Sequence, residues 1–261
     1  MQEIARVDDI EMAYCRFGKG QRVFVILPGL SIKSVVAQEQ ALTQGFSLFA
    51  EDFTTYVFDR RLNLPDEYDV PRMAQDTAKI MEALGLSGVC LFGASQGGMI
   101  AQVLAATHPE LVSRLVLGST TSCGADSAAE VMESWETFAR EGRVAELVEA
   151  TVKHLYSPTT VAAFGDAIRA GIADISPEEL RRFITLASGT PDFDSRELLG
   201  RITAKCLVVG CFGDAVVGWR ASVVLAEALR CPLYLYGPEY GHSVYDEAPD
   251  YRRHLYEFFM A

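Results

Sequence analysis

Apolar and polar residues divide the chain into short, solid apolar runs and longer segments with helical spacing. Arg22-Val23-Phe24-Val25-Ile26-Leu27 is apolar on both alternating faces, which suits a central strand of a parallel sheet with helices on both sides. Comparable runs recur at 54–58, 89–92, 114–118, 206–210 and 233–236. Ahead of them, residues 3–18 alternate enough for two short antiparallel strands, with Gly18-Lys19-Gly20 closing a turn. Helical patterns fill the gaps at 34–49, at 71–84, and from Gly97 to about Ala106. In the second of these, Met73, Ile80, Met81 and Leu84 share one face and Gly85 gives a stop. This alternation predicts an α/β fold with a mostly parallel sheet and right-handed crossovers.

The rhythm changes between about Thr120 and Gly200. Four helical patterns, 128–140, 144–156, 159–170 and 177–188, follow one another without a strand. They predict an inserted all-helical cap over 120–200 between two core segments, 1–119 and 201–261. Trp135, Phe138, Tyr156, Phe164 and Phe183 recur there on helical spacing, which makes them packing residues rather than a substrate cage. The strand-helix order then resumes, with helices at 220–229 and 251–259.

One stretch carries candidate chemistry. Val89 to Gln102 reads as strand, sharp turn and helix, with Ser95 between Gly93 and Gly97 in the pattern Gly-x-Ser-x-Gly. Glycines without Cβ atoms let the helix pack close to its strand, and the serine Oγ then projects above the sheet edge. The Gln96 N–H, first of the free donors at that helix start, points to where negative charge develops if Ser95 attacks a carbonyl. The plainer alternative is a turn that only joins strand to helix.

A serine nucleophile needs a base, and only four histidines are present. His108 sits at a helix end before a proline, His154 in the helical stretch, and His254 in the last helix. His242 differs, because Tyr240-Gly241-His242-Ser243 follows the final strand at the sheet edge that strand polarity assigns to Ser95. A histidine that hydrogen bonds only within its loop is the alternative. Asp214, in Gly213-Asp214-Ala215 after the strand ending at Gly210, is the candidate carboxylate, with a turn-forming aspartate as the alternative.

Composition narrows the function further. The 261 residues are 49 % hydrophobic and 22 % charged, enough for one large core or two modest ones. No window approaches a membrane span, and residues 1–9 lack a basic segment followed by an apolar one, so no export signal is expected. Six scattered cysteines without Cys-x-x-Cys spacing suit free thiols in a reducing cytosol. A net charge of −12 argues against nucleic acid or an anionic membrane as partner. Among the basic pairs, Arg181-Arg182 and Arg252-Arg253 are expected on solvated faces. Neither paired His/Cys spacing nor a Gly-x-x-x-x-Gly-Lys-Ser/Thr loop is present, so no metal or other cofactor is expected.

Together these residues resemble the α/β-hydrolase superfamily. Ser95, Asp214 and His242 stand in that family's chain order, and Gly93 to Met99 looks like its nucleophile elbow. The likeness extends to the Pro28-Gly29 loop, the helical insertion after the sixth strand and the Val-Val-Gly-x-x-Gly-Asp segment at the seventh. It implies an eight-stranded, mostly parallel sheet, an acyl pocket between sheet and cap, and a second oxyanion donor at Leu30 N–H beside Gln96 N–H. Relatives often carry His-Gly where this chain has Pro28-Gly29, and an Asp-x-Arg-Gly-x-Gly turn where it has Asp59 to Leu64. Arg60 or Arg61 either reaches an acidic substrate group or forms a structural salt bridge, and the salt bridge is the preferred reading. The expected activity is hydrolysis of a small carboxylic ester, or a related acyl compound, through an acyl-enzyme on Ser95. An acyltransferase or a lactone or carbon–carbon bond hydrolase is an alternative on the same three residues, and a ligand-binding receptor or scaffold is the non-enzymatic one.

Overall fold

Successive strand residues point to opposite faces of a sheet, so a strand apolar at every position must be covered twice. The computed structural model describes residues 2–126 and 129–261. Its strands are β1 (Gln2–Val7), β2 (Ile10–Gly18), β3 (Arg22–Leu27), β4 (Phe53–Arg61), β5 (Val89–Ala94), β6 (Val112–Gly118), β7 (Lys205–Cys211) and β8 (Leu233–Tyr236). They form one eight-stranded sheet in the order β1-β2-β4-β3-β5-β6-β7-β8. β2 pairs antiparallel with β1 and β4, and every other pairing is parallel. The helices are α1 (Glu39–Gly45), α2 (Val70–Ala83), α3 (Gln96–Thr107), α4 (Ala129–Arg140), α5 (Val144–Leu155), α6 (Pro158–Ile172), α7 (Pro177–Ser188), α8 (Trp219–Leu229), α9 (Val244–Glu247) and α10 (Tyr251–Met260).

The alternation builds two cores. Val25, Leu27, Leu91 and Leu117 face one side with Met81 of α2 and Leu104 of α3. Phe24, Ile26, Phe92 and Val116 face the other with Tyr251 and Phe259 of α10. Phe24 anchors that second side, its ring centroid 4.8 Å from Phe49 and 5.1 Å from Phe259. A slip of one residue in β3 would exchange the two sets, so register and core specify each other.

α4 to α7 follow one another between β6 and β7. Trp135 and Phe183 pack there against Ile32, Val216 and Val217, which lie on loops beyond β3 and β7. α7 starts with Pro177 in its first turn behind a reciprocal cap between Ser176 and Glu179. The expected start of the first of these helices at Ala128 lies outside the described residues.

Four features depart from the sequence-based expectation. Residues 34–49 are not one helix but a 3-10 turn at Val35–Gln38, the short α1, and a second 3-10 turn at Ser47–Phe49. β-branched Val35 and Val36 disfavour a helix start, Ser34 supplies no side-chain cap, and Gly45 ends the segment. β4 runs three residues past Phe58, to Arg61, which pairs with Met12. Its charged end is buried because ions meet ions: Arg61 binds Asp9 at 2.9 Å and Asp76 at 3.3 Å. The single turn of α9 is too short to show periodicity. Arg182, expected in solvent, instead binds Asp59 at 2.6 Å with its side chain 14 % exposed.

Among the described residues no helix is long and apolar enough to cross a membrane. All six cysteines are free, and all but Cys231 are buried. Burial pushes the thiols of Cys15 and Cys90 up to about 11 and those of Cys206 and Cys211 up to about 12, leaving little reactive thiolate at neutral pH. Iodoacetamide at pH 7.5 is therefore expected to spare these four in the native protein and to modify all six after denaturation. Peptide mass mapping reads the outcome, and native alkylation of any of the four at the denatured rate refutes it.

Candidate active site

β5 ends at Ala94 and α3 begins at Gln96, so one residue makes the whole turn. That residue is Ser95, at φ 51° and ψ −122°, a conformation a side chain disfavours. Neighbouring groups hold it there: Ser95 N–H donates to the Gly118 carbonyl at 2.9 Å, and the Thr120 hydroxyl donates to the Ser95 carbonyl at 2.7 Å. Gly93 and Gly97 permit the turn by absence. A Cβ built on Gly93 would lie 2.5 Å from the Gly97 carbonyl oxygen, and one on Gly97 would lie 2.0 Å from that of Leu27.

Two further loops reach the same sheet edge. After β7, Asp214 is 8 % exposed, and after β8, His242 is 1 % exposed. His242 Nδ1 lies 2.9 Å from Asp214 Oδ1 and 3.0 Å from Oδ2. Oδ1 also accepts the N–H groups of Val216 at 2.9 Å and Val217 at 3.0 Å. Burial by itself raises the Asp214 carboxyl, but the imidazole and these two donors outweigh it and hold the group below its usual range. An ionised Asp214 only accepts, so Nδ1 donates and Nε2 is left with a free lone pair. Because the folded carboxyl is the stronger acid, the contact stabilises the fold above the ordinary value of 3.8. That contribution is lost as pH falls through the lower folded value.

Ser95, Gln96, Gly29, Leu30 and His242 line one small cavity of about 40 Å³. A larger cavity of about 370 Å³ adjoins it, sharing Gly29, Leu30, Trp135, Leu155 and Tyr245. Trp135 and Phe183 thus both pack in the helical insertion and line the larger space, whereas Phe164 is 64 % exposed. The other histidines lie elsewhere: His108 beside Thr107, His154 against Trp135, and His254 against Tyr236.

Residues 22–153 match the sequence profile of the family described as alpha/beta hydrolase fold. The chain belongs to that family. Among curated relatives, a protein of Pseudomonas savastanoi pv. phaseolicola named as the carbamate hydrolase RutD is 27 % identical over 210 residues, covering 76 % of this chain and 78 % of the relative. Serine hydrolase BPHL of Mus musculus is 33 % identical over 120 residues, 42 % of this chain and 40 % of that protein. Among solved structures, the α/β hydrolase MGS-M2 from a Medee basin deep-sea metagenome library superposes with a TM-score of 0.87 at 19 % identity, covering 99 % of this chain and 98 % of that one.

In this α/β hydrolase, Glu247, which the sequence reading did not single out, and Arg60, for which it preferred a salt bridge, hold the candidate residues in place. Glu247 accepts from Gly241 N–H at 2.5 Å and from Ser157 N–H at 2.8 Å, tying the His242 loop to the junction of α5 and α6. Arg60 donates to the Pro28 carbonyl at 2.7 Å and to Gln96 Oε1 at 3.3 Å, whereas Arg61 is the structural ion pair. Glu247 reaches Ser157 across 90 residues of chain and Arg60 reaches Pro28 and Gln96 across 32 and 36, so no spacing in the sequence signals these contacts.

Proposed function

We propose that this α/β hydrolase is a serine hydrolase of small acyl compounds, carboxylic esters first, acting through an acyl-enzyme on Ser95. The observation that carries the reading is the double contact of Asp214 with His242 Nδ1, in a loop whose histidine lines the Ser95 cavity. It leaves Nε2 as the base. Ser95 Oγ attacks the carbonyl carbon while His242 Nε2 takes its proton, and the Leu30 and Gln96 N–H groups receive the oxyanion. His242 then returns the proton to the leaving alcohol. Water repeats the cycle on the acyl-enzyme, with His242 again base and then acid. Asp214 stays ionised, holding the ring and stabilising its cationic form.

Residues 120–200 act in this reading as the cap over core segments 1–119 and 201–261, and the packing of Trp135 and Phe183 against Ile32, Val216 and Val217 supports it. The 370 Å³ cavity supports a small-molecule substrate whose apolar body lies beside Gly29 and Leu30. A carbamate is the second substrate class, favoured by the likeness to the RutD protein. Its carbonyl presents the same problem of attack and oxyanion. Five buried free thiols suit a reducing cytosol as the place of action.

The test is reaction with a fluorophosphonate probe followed by peptide mapping. Ser95 alone is expected to be labelled, with labelling lost in His242→Ala. A folded protein that leaves Ser95 unlabelled overturns the reading.

A further inference from the structure

Arg60 is 4 % exposed at the carboxyl end of β4. Its Nη2 donates to the Pro28 carbonyl, two residues before Leu30, and to the side-chain oxygen of Gln96, so it bridges the residues around both assigned oxyanion donors. The backbone of Arg60 is anchored through the carboxylate of its neighbour Asp59. Asp59 Oδ1 accepts the Arg60 backbone N–H at 2.7 Å and Arg182 Nη2 at 2.6 Å, while Oδ2 accepts the Ser34 hydroxyl at 2.5 Å. At its far side, Gln96 Nε2 donates to the Leu186 carbonyl at 2.7 Å and to the Thr190 hydroxyl at 2.9 Å. The Gln96 side chain is therefore braced between β4 and the end of α7.

The Pro28-Gly29 peptide needs an outside anchor. Proline has no N–H to donate, and Gly29 has no Cβ to restrain rotation of the peptide that bears Leu30 N–H. The loop passes tight against the serine, since a Cβ at Gly29 would lie 3.2 Å from that of Ser95. Space and flexibility are thus coupled at the point where direction matters most. Pinning the Pro28 carbonyl fixes the Pro28–Gly29 peptide plane as one rigid unit, so only the two backbone torsions of Gly29 separate that anchor from the Gly29–Leu30 peptide that bears Leu30 N–H. Stability alone gives a poor account of this arginine: it is a buried cation whose Nε has no hydrogen-bond partner. Burial pulls its pKa down to about 10, so it is still charged at neutral pH.

We propose that Arg60 is the positioning residue of the oxyanion hole, clamping the Pro28 carbonyl and the Gln96 side chain so that the Leu30 and Gln96 N–H groups converge. The inference rests on the reading of Ser95 as nucleophile. It gives Arg60 no contact with substrate.

The test compares Arg60→Met and Arg60→Lys with the original protein on p-nitrophenyl acetate. Active sites are counted by stoichiometric p-nitrophenol release from diethyl p-nitrophenyl phosphate. Removing a single oxyanion donor lowers kcat by roughly 100- to 1,000-fold, so loosening two by loss of their clamp in Arg60→Met is expected to lower kcat per active site by about 30- to 100-fold. KM should stay within about twofold, and inhibition by phenylboronic acid, whose serine adduct is a tetrahedral anion, should weaken by the factor lost from kcat. Arg60→Lys, with one donor group able to reach the Pro28 carbonyl, is expected to recover kcat to within about tenfold of the original, boronate affinity following. A purely structural arginine would lower the count of active sites and leave kcat per site and boronate affinity unchanged, which overturns the inference. If Arg60→Met does not fold, Arg60→Lys decides by the same two readouts. If the original protein neither turns over the ester nor titrates, the nucleophile reading fails first and the inference falls with it.

Discussion

Ser95→Ala is expected to lower kcat for an ester by about 10⁶-fold, His242→Ala by a similar factor, and the double variant by no more than either alone. The non-additivity is the informative part. A hydroxyl without a base and a base without a hydroxyl are equally unable to make the acyl-enzyme, so the second loss has nothing left to remove. Asp214→Asn is expected to cost about 10⁴-fold while the protein keeps its fold. The amide can still meet the ring, but its NH₂ favours a hydrogen-free Nδ1 and so places the proton on Nε2, where the base is needed. Asn also offers only a neutral carbonyl to the Val216 and Val217 N–H groups, which now bind a carboxylate oxygen at 2.9 and 3.0 Å. Steady-state kinetics on the four variants, with circular dichroism to confirm folding, measure this. Additive losses, or appreciable ester turnover by Ser95→Ala, would remove Ser95 and His242 from a common step.

What the sequence made legible is what local pattern controls. Apolar runs located the sheet strands because a doubly covered strand is apolar at most of its interior positions, and Gly93 and Gly97 marked the sharp turn because only glycine fits two backbones that close. Strand polarity alone then brings the loops of Ser95, Asp214 and His242 to one edge of the sheet. Illegible were the places where charge is buried by a distant partner. Asp59, Arg60 and Arg61 look like the polar end of a strand, yet each is at most 4 % exposed. Their partners, Arg182, Gln96 and Asp9, lie 123, 36 and 52 residues away along the chain. The broken helix over 34–49 was hidden for a related reason. Phe46 and Phe49 fit a helical period, but they are buried against Phe24 instead, and that tertiary demand overrides a weak local preference.

Gly97→Ala should separate the elbow's geometry from its chemistry, since it changes no reacting group. The added methyl would stand 2.0 Å from the Leu27 carbonyl oxygen and 2.4 Å from that of Pro28, both backbone atoms with no flexible end to swing aside. Either α3 withdraws from the sheet or the β3 loop gives way, by on the order of 1 Å. Overpacking of this kind costs about 1–3 kcal/mol, and at roughly 2–4 °C per kcal/mol the midpoint of thermal unfolding should fall by about 5–10 °C. The kinetic loss should exceed what that suggests. A displacement of about 1 Å at positioning groups costs about 100-fold, and both assigned oxyanion donors lie on the segments forced apart. Gly171→Ala provides the contrast: that glycine is in α6, a Cβ there meets nothing within 4 Å, and alanine is the better helix former by up to about 1 kcal/mol. It should leave kcat unchanged and raise the midpoint slightly. Thermal unfolding and ester kinetics on the pair decide the matter. A folded Gly97→Ala protein with the original kcat would mean that the close approach of α3 to Leu27 and Pro28 is not what sets the direction of the Leu30 N–H.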